Sequence, residues 1–167
     1  GNSGAEITCR LGEALNDNGR EDHINDGPAG SVYTKNLRTA KTTLRYILNG
    51  NPKGETYHPT QTYFGFRYVS MTASEDVTIV NLKGQVVGAD LDEYGTFECS
   101  DESVNQLYQN TRWSARGNFL SIPTDCPQRD ERLGWTGDSQ IFCQTGCYNM
   151  YSAAFYGKYI RDVMGAQ

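Results

Sequence analysis

No apolar run in these 167 residues approaches the roughly 20 that a membrane-spanning helix needs. The first residues also lack the basic-then-apolar order of a signal peptide, which is uninformative if the sequence is a piece of a longer one. Basic residues are not in excess: Lys and Arg number 15 against 20 Asp and Glu, for a formal charge of −5. Nucleic acid and anionic membrane surfaces both reward a basic face, so neither is expected as a partner, whereas a neutral ligand is indifferent to that sign. Histidine is scarce. His23 and His58 lie far from each other and from any cysteine pair, so no metal site is expected and both are read as ordinary loop residues. The five cysteines form no CxxC pair and no even framework, which favours thiols over a disulfide scaffold. Hydrophobic residues make up only 37%, low for a well-filled core, so one ordinary domain or two small ones would fold with modest reserve. No internal repeat or low-complexity tract is present.

The first part of the chain alternates. Ile7, Cys9 and Leu11 stand against Thr8 and Arg10, the pattern of a half-buried strand, and Asn16-Asp17-Asn18-Gly19 turns it. Glu21 to Gly30 has no period and reads as a loop, with a short strand over Ser31 to Thr34. Thr42 to Leu48 alternates again. Gln61 to Thr72 is the clearest strand, apolar on both faces and therefore expected to be central. Val77 to Leu82 and Gln85 to Leu91 flank Lys83-Gly84, a connection of hairpin length. Short strands between polar turns fit an antiparallel sandwich better than a βαβ fold. For this half, carbohydrate binding competes with structural support, and the lack of an exposed tryptophan favours support.

The period changes after Cys99. Ser100 or Asp101 can cap a helix with Glu102 in its first turn, and Val104, Leu107, Tyr108, Thr111 and Ala115 recur at helical spacing until Gly117. A second helix is expected from about Asp138 to Met150. A third carries Ala153, Tyr156, Tyr159, Ile160 and Val163 and runs to about Met164. Cys143 and Cys147, four apart, share a face of the second helix.

Between the first two helices, Pro123 to Asp138 packs four carboxylates, two arginines and one tryptophan into sixteen positions. That is too much charge for a core. Pro123, Pro127, Gly134 and Gly137 oppose helix, so the stretch reads as a shaped loop of the kind that holds sites. Carboxylates beside an indole suit a sugar: the acids accept hydrogen bonds from hydroxyls, the ring covers the apolar C–H face, and two acids can share glycosidic acid and base work. The alternative is a surface charge cluster with Trp135 as a packing anchor. Cys126, with no histidine nearby in sequence, reads as a structural thiol rather than a nucleophile.

The run Pro-Thr-Asp-Cys-Pro-Gln-Arg-Asp-Glu-Arg-Leu-Gly-Trp-Thr-Gly-Asp, Pro123 to Asp138, closely resembles the signature of bacterial α-L-rhamnosidases, the inverting glycoside hydrolases of family 78. Tyr63-Phe64-Gly65-Phe66-Arg67-Tyr68-Val69 looks like that family's Gly-Phe-Arg-Tyr-Val strand, which belongs to the β-sandwich preceding the catalytic domain. The resemblance implies an α+β chain: an antiparallel β-sandwich portion over residues 1–99, then the first helices of an (α/α)6 toroid over residues 100–167. It implies that Glu131 is the general acid, that Asp125, Arg129 and Asp138 contact sugar hydroxyls, and that Trp135 is a stacking or methyl-facing wall for a 6-deoxy sugar. The implied partner is a rhamnose-containing glycoside, with no cofactor. The general base comes from a later loop of the toroid, so the isolated chain is expected to be inactive.

Asp125, Asp130 and Asp138 would raise the Glu131 pKa, while Arg129 and Arg132 would oppose the shift. Asp138 can also cap a helix, and Asp130 with Arg132 can simply hold the loop. Apolar helix faces at Val104, Leu107, Ile160 and Val163 are expected to pack on the sandwich, pair with another copy in an oligomer, or be poorly ordered. Two other readings stay open: a non-catalytic carbohydrate-binding or support module, and a helical-toroid glycosidase of other sugar specificity.

Overall fold

The structure, a computed structural model, describes residues 1–17 and 25–167. His23, the end of the Asn16–Gly19 turn and the start of the Glu21–Gly30 loop lie outside the described residues. The chain forms two compact units, one of Gly1–Gln85 with Gln128–Asp130, the other of Val86–Pro127 with Glu131–Gln167.

In the first unit the alternating segments become β1 (Glu6–Gly12), β2 (Ala14–Leu15), β3 (Val32–Tyr33), β4 (Thr43–Ile47) and β5 (Tyr68–Ala73). They form an antiparallel three-stranded sheet of order β4-β1-β5 and a two-stranded β2-β3 sheet. Cys9 stands opposite Leu44 on one side and Met71 on the other, and Leu11 opposite Val69. Residues paired in this way share a sheet face, so the period-2 pattern gathers Ile7, Cys9, Leu11, Leu44, Val69 and Met71 on one side. Leu11 is buried there, and burial pushes the Cys9 thiol pKa up.

Two strand expectations need correction. Of the Gln61–Thr72 run only the part from Tyr68 onward is a strand, β5, and it is an edge, with β1 at the centre. Gln61 has a positive φ of 59°, which breaks the extended run, and the stretch before Tyr68 meets β1 only where the Arg67 amide donates to Gly12. The hairpin across Lys83-Gly84 does not form. Val80 is 93% exposed and Val86 77%, and the boundary between the two units falls at Gln85 and Val86, so the two halves belong to different bodies. A two-stranded ribbon with no third strand or helix to cover it is marginal at best.

The second unit is helical: α1 (Glu102–Asn118), α2 (Thr136–Asn149) and α3 (Ala153–Gly165). Asp101 caps α1, its carboxylate accepting the Ser103 amide at 2.9 Å, with Glu102 beside it at the positive end of the dipole. The helix does not stop at Gly117. It runs on to Asn118 and closes with the Phe119 amide on the Ala115 carbonyl at 2.8 Å. Phe119 then organises the core, stacked on Phe155 at 4.7 Å between ring centroids and edge-on to Phe142 and Tyr156 at 6.0 and 5.8 Å. Gly146 makes this possible, since a Cβ there would lie 2.9 Å from the Phe119 ring and from the Tyr156 hydroxyl. Glu93, on the segment leading into α1, forms ion pairs with Arg112 and Arg116 of that helix. Val104, Leu107 and Ile160 stay exposed, as an apolar face without neighbours would, while Val163 is half-buried. No helix among the described residues is long and apolar enough to cross a membrane, and no disulfide joins the cysteines.

Candidate active site

The loop between α1 and α2 is shaped mainly by its own backbone. At its start, the Thr124 amide and hydroxyl both donate to the Asn118 carbonyl at 2.8 Å, tying Pro123 and Thr124 to the end of α1. At its close, the Asp125 amide donates to Leu133, the Leu133 amide to Glu131 at 2.8 Å, and the Trp135 amide to Leu133 at 3.1 Å. The Trp135 indole N–H also donates to the Glu131 carbonyl, at 3.2 Å. A run that prolines keep from becoming helix therefore satisfies its amides by short local bonds. Trp135 caps α2 only through its backbone: its carbonyl accepts both the amide and the hydroxyl of Ser139, at 3.0 and 2.8 Å. Asp138 is thus not the cap but the third residue of α2, within the first turn.

The fold brings together two pairs of the acids singled out in the sequence. Single ligand atoms of Asp125, Cys126 and Glu131 lie within 4.8 Å of one another, all three residues being half-buried. Within this group the Cys126 thiol donates to the Asp125 carboxylate at 3.1 Å. Separately, Asp125 and Asp138 line one pocket of about 310 Å³, together with Phe119, Phe142 and Tyr156. That volume is at the lower end of the roughly 300–1,000 Å³ of ligand pockets. Asp125 is the residue common to both groupings.

The other candidates are placed differently. Trp135 is 47% exposed and is not one of the pocket's lining residues. Arg129, half-buried, groups with the first unit, as does Asp130. Asp130 accepts a hydrogen bond from the Thr39 hydroxyl, and that bond first, with the Arg38 charge adding to it, holds its carboxyl below the usual range. Asp130 thus anchors its stretch of the loop, which is one of the roles its neighbours in sequence suggested.

Two carboxylates and a thiol have donor atoms close enough to share a cation. The mixed set matches neither the all-oxygen shell of calcium nor the nitrogen and sulfur tetrahedron of structural zinc. Residues that sequence reasoning did not single out for the site are Phe142 and Thr39. Phe142 had a usable signal, lying four residues after Asp138 on one helix face. Thr39 had none, being 91 positions from its partner.

The family profile described as the bacterial alpha-L-rhamnosidase concanavalin-like domain matches residues 1–88, and that of the bacterial alpha-L-rhamnosidase 6 hairpin glycosidase domain matches residues 92–167. An alpha-L-rhamnosidase of Formosa agariphila is 42% identical over 143 residues, covering 84% of this chain and 15% of that protein. The crystal structure of Streptomyces avermitilis alpha-L-rhamnosidase complexed with L-rhamnose aligns with a TM-score of 0.85 and 40% identity over 100% of this chain and 15% of that one. The alpha-L-rhamnosidase of Dictyoglumus thermophilum aligns with a TM-score of 0.85 and 37% identity, covering 99% of this chain and 17% of that one. The chain thus spans 15% to 17% of the length of these relatives.

Proposed function

The chain belongs to the bacterial α-L-rhamnosidase family, and on that footing we propose that it is part of an enzyme that hydrolyses terminal α-L-rhamnosides with inversion. In this reading residues 1–99 are a sandwich portion and residues 100–167 open the catalytic toroid. Glu131 is the general acid, protonating the departing glycosidic oxygen, and a carboxylate outside residues 1–167 activates the water. Asp125 and Asp138 accept hydrogen bonds from sugar hydroxyls, Arg129 donates one, and Trp135 stacks on the ring.

The observation that carries the reading is the convergence of Asp125 with Glu131 while Asp125 also shares a pocket with Asp138. An inverting acid and base stand roughly 6.5–9.5 Å apart with room for water between them, and a retaining pair about 5–5.5 Å. One carboxylate oxygen of Asp125 lies within 4.8 Å of one of Glu131 on the same loop, inside the spacing of an inverting pair. Asp125 is therefore a binding group on the acid's side of the substrate.

The test is the anomer released first by the full-length protein from an aryl α-L-rhamnoside, followed by proton NMR before mutarotation. β-L-Rhamnose is the expected product. α-L-Rhamnose would overturn inversion, and no release of rhamnose would overturn the activity itself.

A further inference from the structure

Glu131 lies in the irregular backbone between α1 and α2, where neither a helical nor a sheet ladder sets the direction in which its side chain leaves the chain. Its carbonyl is nonetheless held twice. The Leu133 amide donates to it at 2.8 Å across a three-residue turn, and the Trp135 indole N–H donates to it at 3.2 Å. A second turn of the same kind, closed by the Trp135 amide on the Leu133 carbonyl at 3.1 Å, brings the indole back within reach. The two donors occupy both lone pairs of the Glu131 carbonyl oxygen. Trp135 is itself fixed, because its carbonyl accepts the amide and the hydroxyl of Ser139 where α2 begins. The indole therefore ties the backbone of Glu131 to the first turn of a helix. Trp135 is not among the residues lining the pocket of Asp125 and Asp138, so its specific polar contact is with the Glu131 main chain.

A general acid works within about 2.6–3.2 Å of the oxygen it protonates, and a displacement of about 1 Å costs about 10²-fold in rate. The Glu131 carboxyl, carried on two methylenes, moves with any rotation of its own peptide plane. We propose that Trp135 is a positioning residue for Glu131, acting through its indole N–H, an inference that rests on the acid role proposed above. This is separate from a stacking role. A ring that stacks on a sugar contributes through its face and bulk, whereas holding the Glu131 carbonyl needs the N–H, the one hydrogen-bonding group that an indole has.

The experiment uses the full-length protein and two substrates: an alkyl α-L-rhamnoside, whose leaving group needs the acid, and an activated aryl α-L-rhamnoside, whose leaving group does not. Both carry the same sugar. Loss of a stacking wall therefore lowers kcat/KM on the two alike, and only a misplaced acid separates them. Trp135 is replaced by 3-benzothienylalanine, which keeps the bicyclic shape and puts sulfur in place of the N–H, and in a second variant by Trp135→Phe. The benzothienyl protein is expected to lose up to about 10²-fold in kcat on the alkyl substrate, with KM nearly unchanged and a much smaller loss on the aryl one. Trp135→Phe shows the same alkyl-specific loss together with an equal rise in KM on both. Glu131→Gln, assayed alongside, gives the leaving-group dependence of a missing acid. If Glu131→Gln separates the substrates and the benzothienyl protein does not, the positioning role is overturned and the acid role stands. If Glu131→Gln does not separate them either, the acid role fails and the inference falls with it.

Discussion

Tyr159 of α3 donates its hydroxyl hydrogen to the carbonyl of Gly134 at 2.8 Å, and a Cβ on Gly134 would lie 2.8 Å from the Tyr159 ring and 3.1 Å from Ile122. The residue just before Trp135 is thus fixed from outside the loop by a helix that begins nineteen positions later. Gly134→Ala forces the ring of a side chain only 7% exposed to shift, with a cost of about 1–3 kcal/mol for overpacking. Tyr159→Phe removes one hydrogen bond and should cost about 0.5–1.5 kcal/mol. Thermal melts of the full-length protein rank the two. A Gly134→Ala melting temperature equal to wild type would show that the close approach does not constrain the loop.

Glu131→Gln is expected to lower kcat far more than it weakens rhamnose binding, because the amide keeps the shape but has no proton to give. The loss should be about 10²–10⁴-fold on an alkyl rhamnoside and much smaller on an aryl rhamnoside whose leaving group needs no protonation. Equal losses on the two substrates would count against the acid role. Asp125→Asn serves as the contrast: with the Cys126 thiol bonded to it and the Asp138 pocket around it, its effect should appear mainly in KM.

Much of this site is legible in the sequence because its residues are close along the chain. Asp125, Cys126 and Glu131 converge within one loop, and the proline and glycine spacing that marks the loop is local chemistry. The three helices are equally local, since apolar period and the Asp101 cap act within a turn or two. What could not be read depends on partners far along the chain. Val80 and Val86 have strand composition but no sheet to join, and the alternation of Gln61 to Arg67 cannot reveal that only Tyr68–Ala73 pairs with β1. The Thr39 hydroxyl that fixes Asp130 lies in an unremarkable turn.

The loop after β4 has a pH dependence with a definite sign. Glu55 accepts the amides of Asn49, Asn51 and Gly50 and the Tyr46 hydroxyl, and these bonds, the Asn49 amide first, lower its carboxyl pKa to about 2. A carboxyl lowered on folding contributes stability that is complete above its unfolded value and fades as pH falls through the folded one. The loop around Asn49 to Tyr57 is therefore expected to hold its shape down to about pH 2, with the contribution fading between the ordinary glutamate range and that value. Following the Glu55 carboxyl carbon and the Gly50 amide by NMR checks it: a midpoint at an ordinary glutamate value would show that the four bonds do not persist in solution.

The last expectation concerns residues 1–167 alone, which should show no measurable α-L-rhamnosidase activity. Inversion needs a base on the far side of the sugar from Glu131. Asp125 has an oxygen within 4.8 Å of one of Glu131, nearer than an inverting partner is expected to stand. Asp130 is held by Thr39 within the first unit. Asp138 lies in the first turn of α2 and lines a pocket with Asp125, in keeping with the binding role proposed for it. Ile160 and Leu107 also remain 58% and 63% exposed, so the helical unit would be expected to gain order only when further apolar surface covers them. Incubating the purified 167-residue chain with an alkyl α-L-rhamnoside, whose leaving group needs the acid, decides the matter. Turnover that follows the chain through purification and disappears in Glu131→Gln would mean that a base within these residues suffices, and Asp138, on a different element from Glu131, would then be the first carboxylate to re-examine.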